Sequence, residues 1–264
     1  MELDFEKALT YIAKDTQWVN KFLAGSGIIL AALGVMIFPF ASLLTGSSKS
    51  FCALMIMSCA VSVVLWLAVS GYVCETAHRR IKNTEDYTLP DWTDFGGLIA
   101  LGFKYSIGYF LYFIPVLVVG LIFAGLCFFI GNPFAGFHHH MSGFSFGILV
   151  FAGAFLLFLY LLAVIFLPLV MSAFFEDKKI LSFVSFDKAA KLIKGNVSNY
   201  VMLIILFIAM SILVSIITSI LCVTVVGYIF FPLVYMYAYL VISELCAQFV
   251  VSSKAEKTTD TPSC

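Results

Sequence analysis

The sequence predicts an all-α integral membrane protein with six transmembrane helices. These are arranged as three hairpins, each preceded by an amphipathic interfacial helix. Three observations point there. Hydrophobic residues make up 62% of the 264 and charged residues 11%, against about 25% charged in a soluble domain. Six long apolar runs are visible at 22–44, 51–74, 106–130, 144–175, 200–222 and 227–250, each at least as long as the about 20 residues that cross a hydrocarbon core of about 30 Å. Finally, the segments before, between and after these runs carry 3, 1, 4, 0, 5, 0 and 2 Lys or Arg in order, so fourteen of fifteen cations lie on one side. The positive-inside bias then places both termini in the cytoplasm.

The first segment places Phe5, Leu9, Ile12 and Val19 at helical spacing against Glu6, Lys7, Lys14 and Gln17. That pattern predicts a helix lying in the headgroup plane, ahead of a first crossing that is retained and not cleaved as a signal peptide. Glu75 ends the second run as an interfacial flank. In the next loop Pro90-Asp91-Trp92-Thr93-Asp94 reads as a helix start with Asp91 as the cap, while Gly96, Gly97 and Gly102 dilute the helix that follows. The fourth run, 32 residues with Pro168 inside, must tilt, bend or extend beyond the bilayer. Glu176 and Asp177 flank it. Before the last pair, Phe186, Ala189, Ala190, Ile193 and Val197 oppose Lys188, Lys191, Lys194 and Asn196, a second strong interfacial pattern. Residues 200–250 are almost uninterrupted; one helix of that length would reach about 76 Å, so the chain must fold back. Thr224 to Gly227 is the expected turn, leaving nearly equal arms.

Phe5, Phe95 and Phe186 stand 90 and 91 residues apart, and Phe5-Glu-Lys-Ala8 matches Phe186-Asp-Lys-Ala189 in type at every place. The chain therefore reads as one membrane domain, 1–251, with pseudo-repeats at about 1–90, 91–181 and 182–251. A polar tail, 252–264, is expected to be disordered in the cytoplasm. Ser211, Ser215 and Ser219 form a small-residue seam on the fifth crossing, and Gly120 with Ala124 and Gly143 with Gly147 form shorter ones, all suited to close helix packing.

Ionisable residues inside crossings mark functional sites because they are costly there. Glu244 is the one clear case, six residues before the end of the sixth run; it either faces an internal cavity or reaches the interface or a neighbouring helix. His138, His139 and His140 sit in an outer loop. Imidazoles bind zinc, copper or nickel, yet adjacent loop residues converge poorly on one ion, and neither outer loop holds a carboxylate, so they are weak metal candidates and no cofactor is expected. Arg79, Arg80, Lys188, Lys191 and Lys194 are placed to touch lipid phosphates. The seven cysteines show no C-x-x-C spacing and read as small apolar filler. Net charge is zero, which gives no field for nucleic acid. No nucleophile–base pair, phosphate-binding loop or zinc motif is present, so no catalytic residue is assigned.

Asp4-Phe-Glu-Lys-Ala-Leu9 with Asp15-Thr-Gln-Trp18, the stretch Leu89-Pro-Asp-Trp-Thr-Asp-Phe-Gly-Gly-Leu98, and the lysine-bearing segment 186–200 resemble an uncharacterised membrane family, domain-of-unknown-function family 4013. The resemblance covers residues 1–251. It implies a six-helix protein of a prokaryotic cell membrane, with no established activity or catalytic residues to carry over. A fainter similarity, at fold level only, is to the membrane domains attached to some glycerophosphodiesterases.

Three functions stay open on this reading. The first is a non-catalytic scaffold or accessory protein binding lipid, partner helices or a second copy of itself. The second is a small permease or channel for an uncharged or amphiphilic solute, which calls for a polar cavity near the midplane. The third is an intramembrane enzyme, which calls for polar groups converging at one depth.

Overall fold

The structure, a computed structural model, describes residues 3–41, 48–85, 87–131, 143–194, 196–224 and 227–259. Among these residues it consists of eight α-helices and two 3-10 segments. The helices are α1 (Phe5–Thr10), α2 (Trp18–Ala41), α3 (Ser48–Lys82), α4 (Phe95–Gly131), α5 (Gly143–Asp177), α6 (Phe186–Ile193), α7 (Val197–Cys222) and α8 (Gly227–Thr259). The 3-10 segments are Tyr11–Lys14 and Ile180–Phe183. Six helices, α2 to α5 with α7 and α8, are long and apolar enough to cross a membrane.

Packing is organised around α3 and α8. Helix α3 touches α2, α4, α5 and α8, and α8 touches α1, α2, α3, α5, α6 and α7. Half of the most apolar stretch of α8 is buried, against 6% for α4, which makes α8 axial and α4 peripheral. The core is densest where the apolar runs meet the basic segments: Ala68 to Ile81 on α3, Leu167 to Phe175 on α5, Leu240 to Val250 on α8.

The tightest crossing joins α3 to α4. A Cβ on Gly71 would stand 1.8 Å from the Leu98 carbonyl oxygen, and one on Gly102 would stand 1.8 Å from that of Leu67. The two helices therefore meet backbone to backbone through one turn of each, and only glycine fits at either place. Gly102, which dilutes helix propensity in the sequence, is here the condition for helix packing. Phe183 fills a similar notch at Gly108, where a Cβ would lie 2.2 Å from its ring.

Three expectations are corrected by these contacts. Helix α4 starts at Phe95 and runs unbroken, so the second pair of long helices has no separate short helix before it. Its cap is Asp94, whose Oδ1 accepts from the Gly97 N–H at 2.9 Å; Asp91 serves elsewhere. The apolar stripe of the first segment is divided: Ile12 is buried, Phe5 and Leu9 are half-buried against the core, and Val19 is exposed. Ala8, Tyr11 and Ile12 are buried, Tyr11 donates to the Leu240 carbonyl at 3.3 Å, and Tyr237 of α8 donates to the Leu9 carbonyl at 3.0 Å. Likewise Ala189 and Leu192 of α6 are buried, whereas Phe186 stands 76% exposed. An amphipathic pattern fixes that a helix has one buried face, not whether lipid or protein covers it.

The fold-back falls where the sequence puts it. The Gly227 N–H donates to the Thr224 carbonyl at 3.0 Å, and a Cβ there would meet the Leu221 oxygen at 1.9 Å. Helix α8 continues to Thr259, so residues 252–259 of the expected tail are helical, with Ser252 and Ser253 buried. The serine seam of α7 is exposed. Ser211, Ser215 and Ser219 each donate to the carbonyl four residues back, at 2.7–2.8 Å.

Gly71→Val or Gly102→Val is expected to destabilise the fold by about 2 kcal/mol or more, since backbone has to move to admit the side chain. Gly27→Ala and Gly34→Ala, where nothing lies within 4 Å, serve as controls and should leave it unchanged. Thermal unfolding in detergent measures both.

Candidate functional site

Glu244 of α8 and Arg80 of α3 form a buried, two-pronged ion pair. Arg80 Nε donates to Glu244 Oε2 at 2.8 Å and Nη2 to Oε1 at 2.8 Å, with the residues 5% and 1% exposed. Arg80 Nη1 donates to the Thr84 carbonyl, and Gln248 Nε2 to Glu244 Oε1 at 3.3 Å. Each charge is thus matched in geometry and in remaining hydrogen-bond capacity, the condition under which a buried pair is tolerated. The Tyr87 ring covers the outer side, 4.5 Å from the Arg80 guanidinium carbon and 4.3 Å from the Lys14 ammonium. Burial pushes the Tyr87 phenol up, but a hydrogen bond from Lys7 and the charges of Lys7, Lys14 and Arg80 outweigh it and hold the phenol below its ordinary value. Arg80, expected among the lipid-phosphate contacts, is therefore withdrawn from lipid: it is the partner that Glu244 lacks in the sequence.

A second polar lock ties the start of α2 to the loop before α4. Asp15 accepts from the Gln17 N–H at 2.6 Å, the Leu89 N–H at 2.7 Å and the Lys21 ammonium at 3.1 Å. Lys21 also donates to the Leu89 carbonyl at 2.7 Å and pairs with Asp91 at 3.1 Å. The Trp92 indole donates to the Lys21 carbonyl at 2.9 Å and lies parallel to the Tyr72 ring at 4.1 Å. Desolvation works against the Asp15 carboxylate, but the two backbone N–H bonds and Lys21 together hold its carboxyl below the usual range. Two of the segments that carry the family resemblance, Asp15 to Trp18 and Leu89 to Asp94, are thus in direct contact.

Among α3, α4, α5, α7 and α8 lies a cavity of about 420 Å³. It extends from Cys74 and Met171 to Trp66 and Tyr109; along α3, from residue 74 to 66, that is about 12 Å. Tyr105, Ser106 and Tyr239 contribute hydroxyls and Phe207 a ring. Tyr105 of the lining also joins an aromatic cluster, its ring 5.6, 6.3 and 5.6 Å from those of Phe174, Phe175 and Phe183, all three fully buried.

The remaining candidates divide. Arg79 is exposed and pairs with Glu75 at 3.3 Å, a carboxylate shared with Lys178 at 2.6 Å. Lys188 pairs with Asp177. Lys191 and Lys194 are exposed and form no ion pair among the described residues. His138, His139 and His140 lie outside the described residues, and among those described no group of three or more His, Cys, Asp or Glu is placed to hold a metal ion. Three side chains central to the site, Asp15, Lys21 and Tyr87, were not singled out from the sequence. The signal available for Asp15 and Lys21 was their place at the start of the first apolar run, beside a Trp.

A family model described as protein of unknown function (DUF4013) matches residues 51–223. The match takes in α3 to α7, with Arg80, the Leu89–Asp94 stretch and the lysines before α7, and stops short of both Asp15 and Glu244. No curated protein and no solved structure matches.

Arg80→Ala or Glu244→Leu, each leaving one uncompensated charge, is expected to cost roughly 3–5 kcal/mol, and Arg80→Met with Glu244→Leu together much less than the sum. Denaturant titration in mixed micelles gives the coupling. A carboxyl whose folded pKa is depressed contributes stability that is complete above its unfolded pKa, about 3.9, and lost as pH falls through the folded value. Asp15→Asn should therefore flatten the acid side of the stability profile below about pH 4, read by thermal unfolding at pH 3 to 7.

Proposed function

We propose, on the premise that the chain belongs to the DUF4013 family of proteins of unknown function, that it is a non-catalytic multi-pass membrane protein which engages lipid and partner helices. Its medium is the cell membrane of a prokaryote. Both termini and the basic segments lie on the cytoplasmic side, and the helices are paired as hairpins. The observation that carries this reading is the solid basic end. The Arg80–Glu244 pair, the Asp15–Lys21 lock and the Phe174–Phe175–Phe183 cluster fill it with largely buried, mutually contacting side chains and leave a space of about 10 Å³ beside Arg80 and Glu244, which favours a protein that holds its neighbours over one that passes a solute. Lys191 and Lys194 support the lipid part. They stand exposed beside Leu181, Phe186 and Val197, apolar side chains that are also exposed, the arrangement that places cations among headgroups while neighbouring residues enter the acyl layer.

Two measurements test it. In vesicles containing phosphatidylglycerol, Lys191→Gln with Lys194→Gln should weaken the preference for that anionic lipid about thirtyfold, at about 1 kcal/mol per cation; spin-labelled lipid competition reads this. Vesicles carrying the protein should be no more permeable to glycerol than empty ones. Protein-dependent glycerol flux would replace this reading with a permease, and labelling of Lys191 from outside intact cells would overturn the orientation.

A further inference from the structure

We infer that the cavity among α3, α4, α5, α7 and α8 is a binding site for an uncharged, mainly apolar molecule that bears a hydroxyl or carbonyl oxygen. Its volume, about 420 Å³, falls within the about 300–1,000 Å³ of small-molecule sites. None of its lining side chains carries a charge at neutral pH. An ionised ligand would lose its hydration there with no counter-ion to replace it.

The polar groups it does offer are unspent. Tyr105, Ser106, Tyr109 and Tyr239 line the cavity, and none bonds another described residue. Neighbouring tyrosines behave differently: Tyr112, one turn or two further along α4, donates to the Ala163 carbonyl at 2.7 Å, and Tyr200 of α7 donates to that of Ile165 at 3.1 Å. Hydroxyl donors left over in an apolar enclosure are matched by an oxygen acceptor on the occupant. The body of that occupant faces Trp66, Val73, Leu167, Met171, Phe207 and Ile242, which fits an alkyl or ring framework.

The far end indicates the route in. At one end Cys74 and Met171 are buried, whereas at the other Trp66, which meets Tyr239 at 5.9 Å, is 38% exposed on the surface of α3. Entry on that side runs through the apolar flank of the helices, so a molecule dissolved in the bilayer and one partitioning in from water share it.

Photolabelling of the full chain in lipid nanodiscs tests this, with diazirine-bearing hexadecanol, hexadecanoic acid and hexadecane as probes and peptides mapped by mass spectrometry. The alcohol is expected to label residues 66–74 and 105–109 about tenfold more than the acid or the alkane, the scale of one well-made buried hydrogen bond. Tyr105→Phe with Tyr239→Phe should bring the alcohol down to the alkane, and Val73→Trp should suppress all three by filling the space. A diazirine octanol added from the bath separates sources. Labelling by it alone assigns a water-borne ligand; labelling by hexadecanol assigns one resident in the membrane. Equal labelling by all three long-chain probes, or alcohol labelling unchanged in the double Phe variant, overturns the site. The double variant keeps both rings, so the test holds even where Val73→Trp fails to fold.

Discussion

The pairing of Arg80 with Glu244 sets the geometry of everything around it. Two charges withdrawn from water and lipid are tolerated only face to face. Helix α3 must therefore present position 80, and α8 position 244, at one depth and on facing sides. With those two helices fixed, the rest of the basic end follows. Gln248 supports the carboxylate and anchors Asp4 at the head of α1, while Thr84 and Tyr87 draw the loop after α3 over the guanidinium. The short first helix then lies along α8, held by the Tyr11–Leu240 and Tyr237–Leu9 hydrogen bonds.

This reliance on polar and close backbone contacts is what a lipid solvent imposes. Apolar side chains gain little by exchanging acyl chains for protein, so the hydrophobic effect that gathers a soluble core is weak between helices here. The molecule instead holds itself together where lipid cannot compete. It uses the ion pair and the Asp15–Lys21 lock at the basic end, and the Gly71–Gly102 crossing further along α3. Toward the opposite end residues such as Phe110, Leu121, Phe151 and Phe158 face outward, at no cost in a medium that resembles them.

How far the sequence reveals this depends on whether a feature is local. Six helices long and apolar enough to cross a membrane and the fold-back at Gly227 follow from run length and from one permissive residue, whereas helix ends do not, since α3 runs on to Lys82 and α4 already starts at Phe95. The direction of an amphipathic stripe does not follow, because periodicity is blind to what covers it; the stripe at Phe5, Leu9 and Ile12 is addressed to α8. Glu244 was legible as costly, but its partner, 164 residues away, looked like one more basic flank. The serine seam of α7, read as a packing face, turns outward, with its hydroxyls returned to its own backbone. The cavity could not be read at all, since its lining comes from five helices with no shared motif.

The span between Arg80 and its counter-ion also has a meaning in time. At about 5–20 residues per second of synthesis, the guanidinium emerges roughly 8–33 s before residue 244 exists. Throughout that interval the end of α3 carries a cation that no available carboxylate of α8 can neutralise, and the waiting group keeps to the wet boundary of the bilayer. The pair can therefore close only once α8 has been made, whatever α3 has packed against before then.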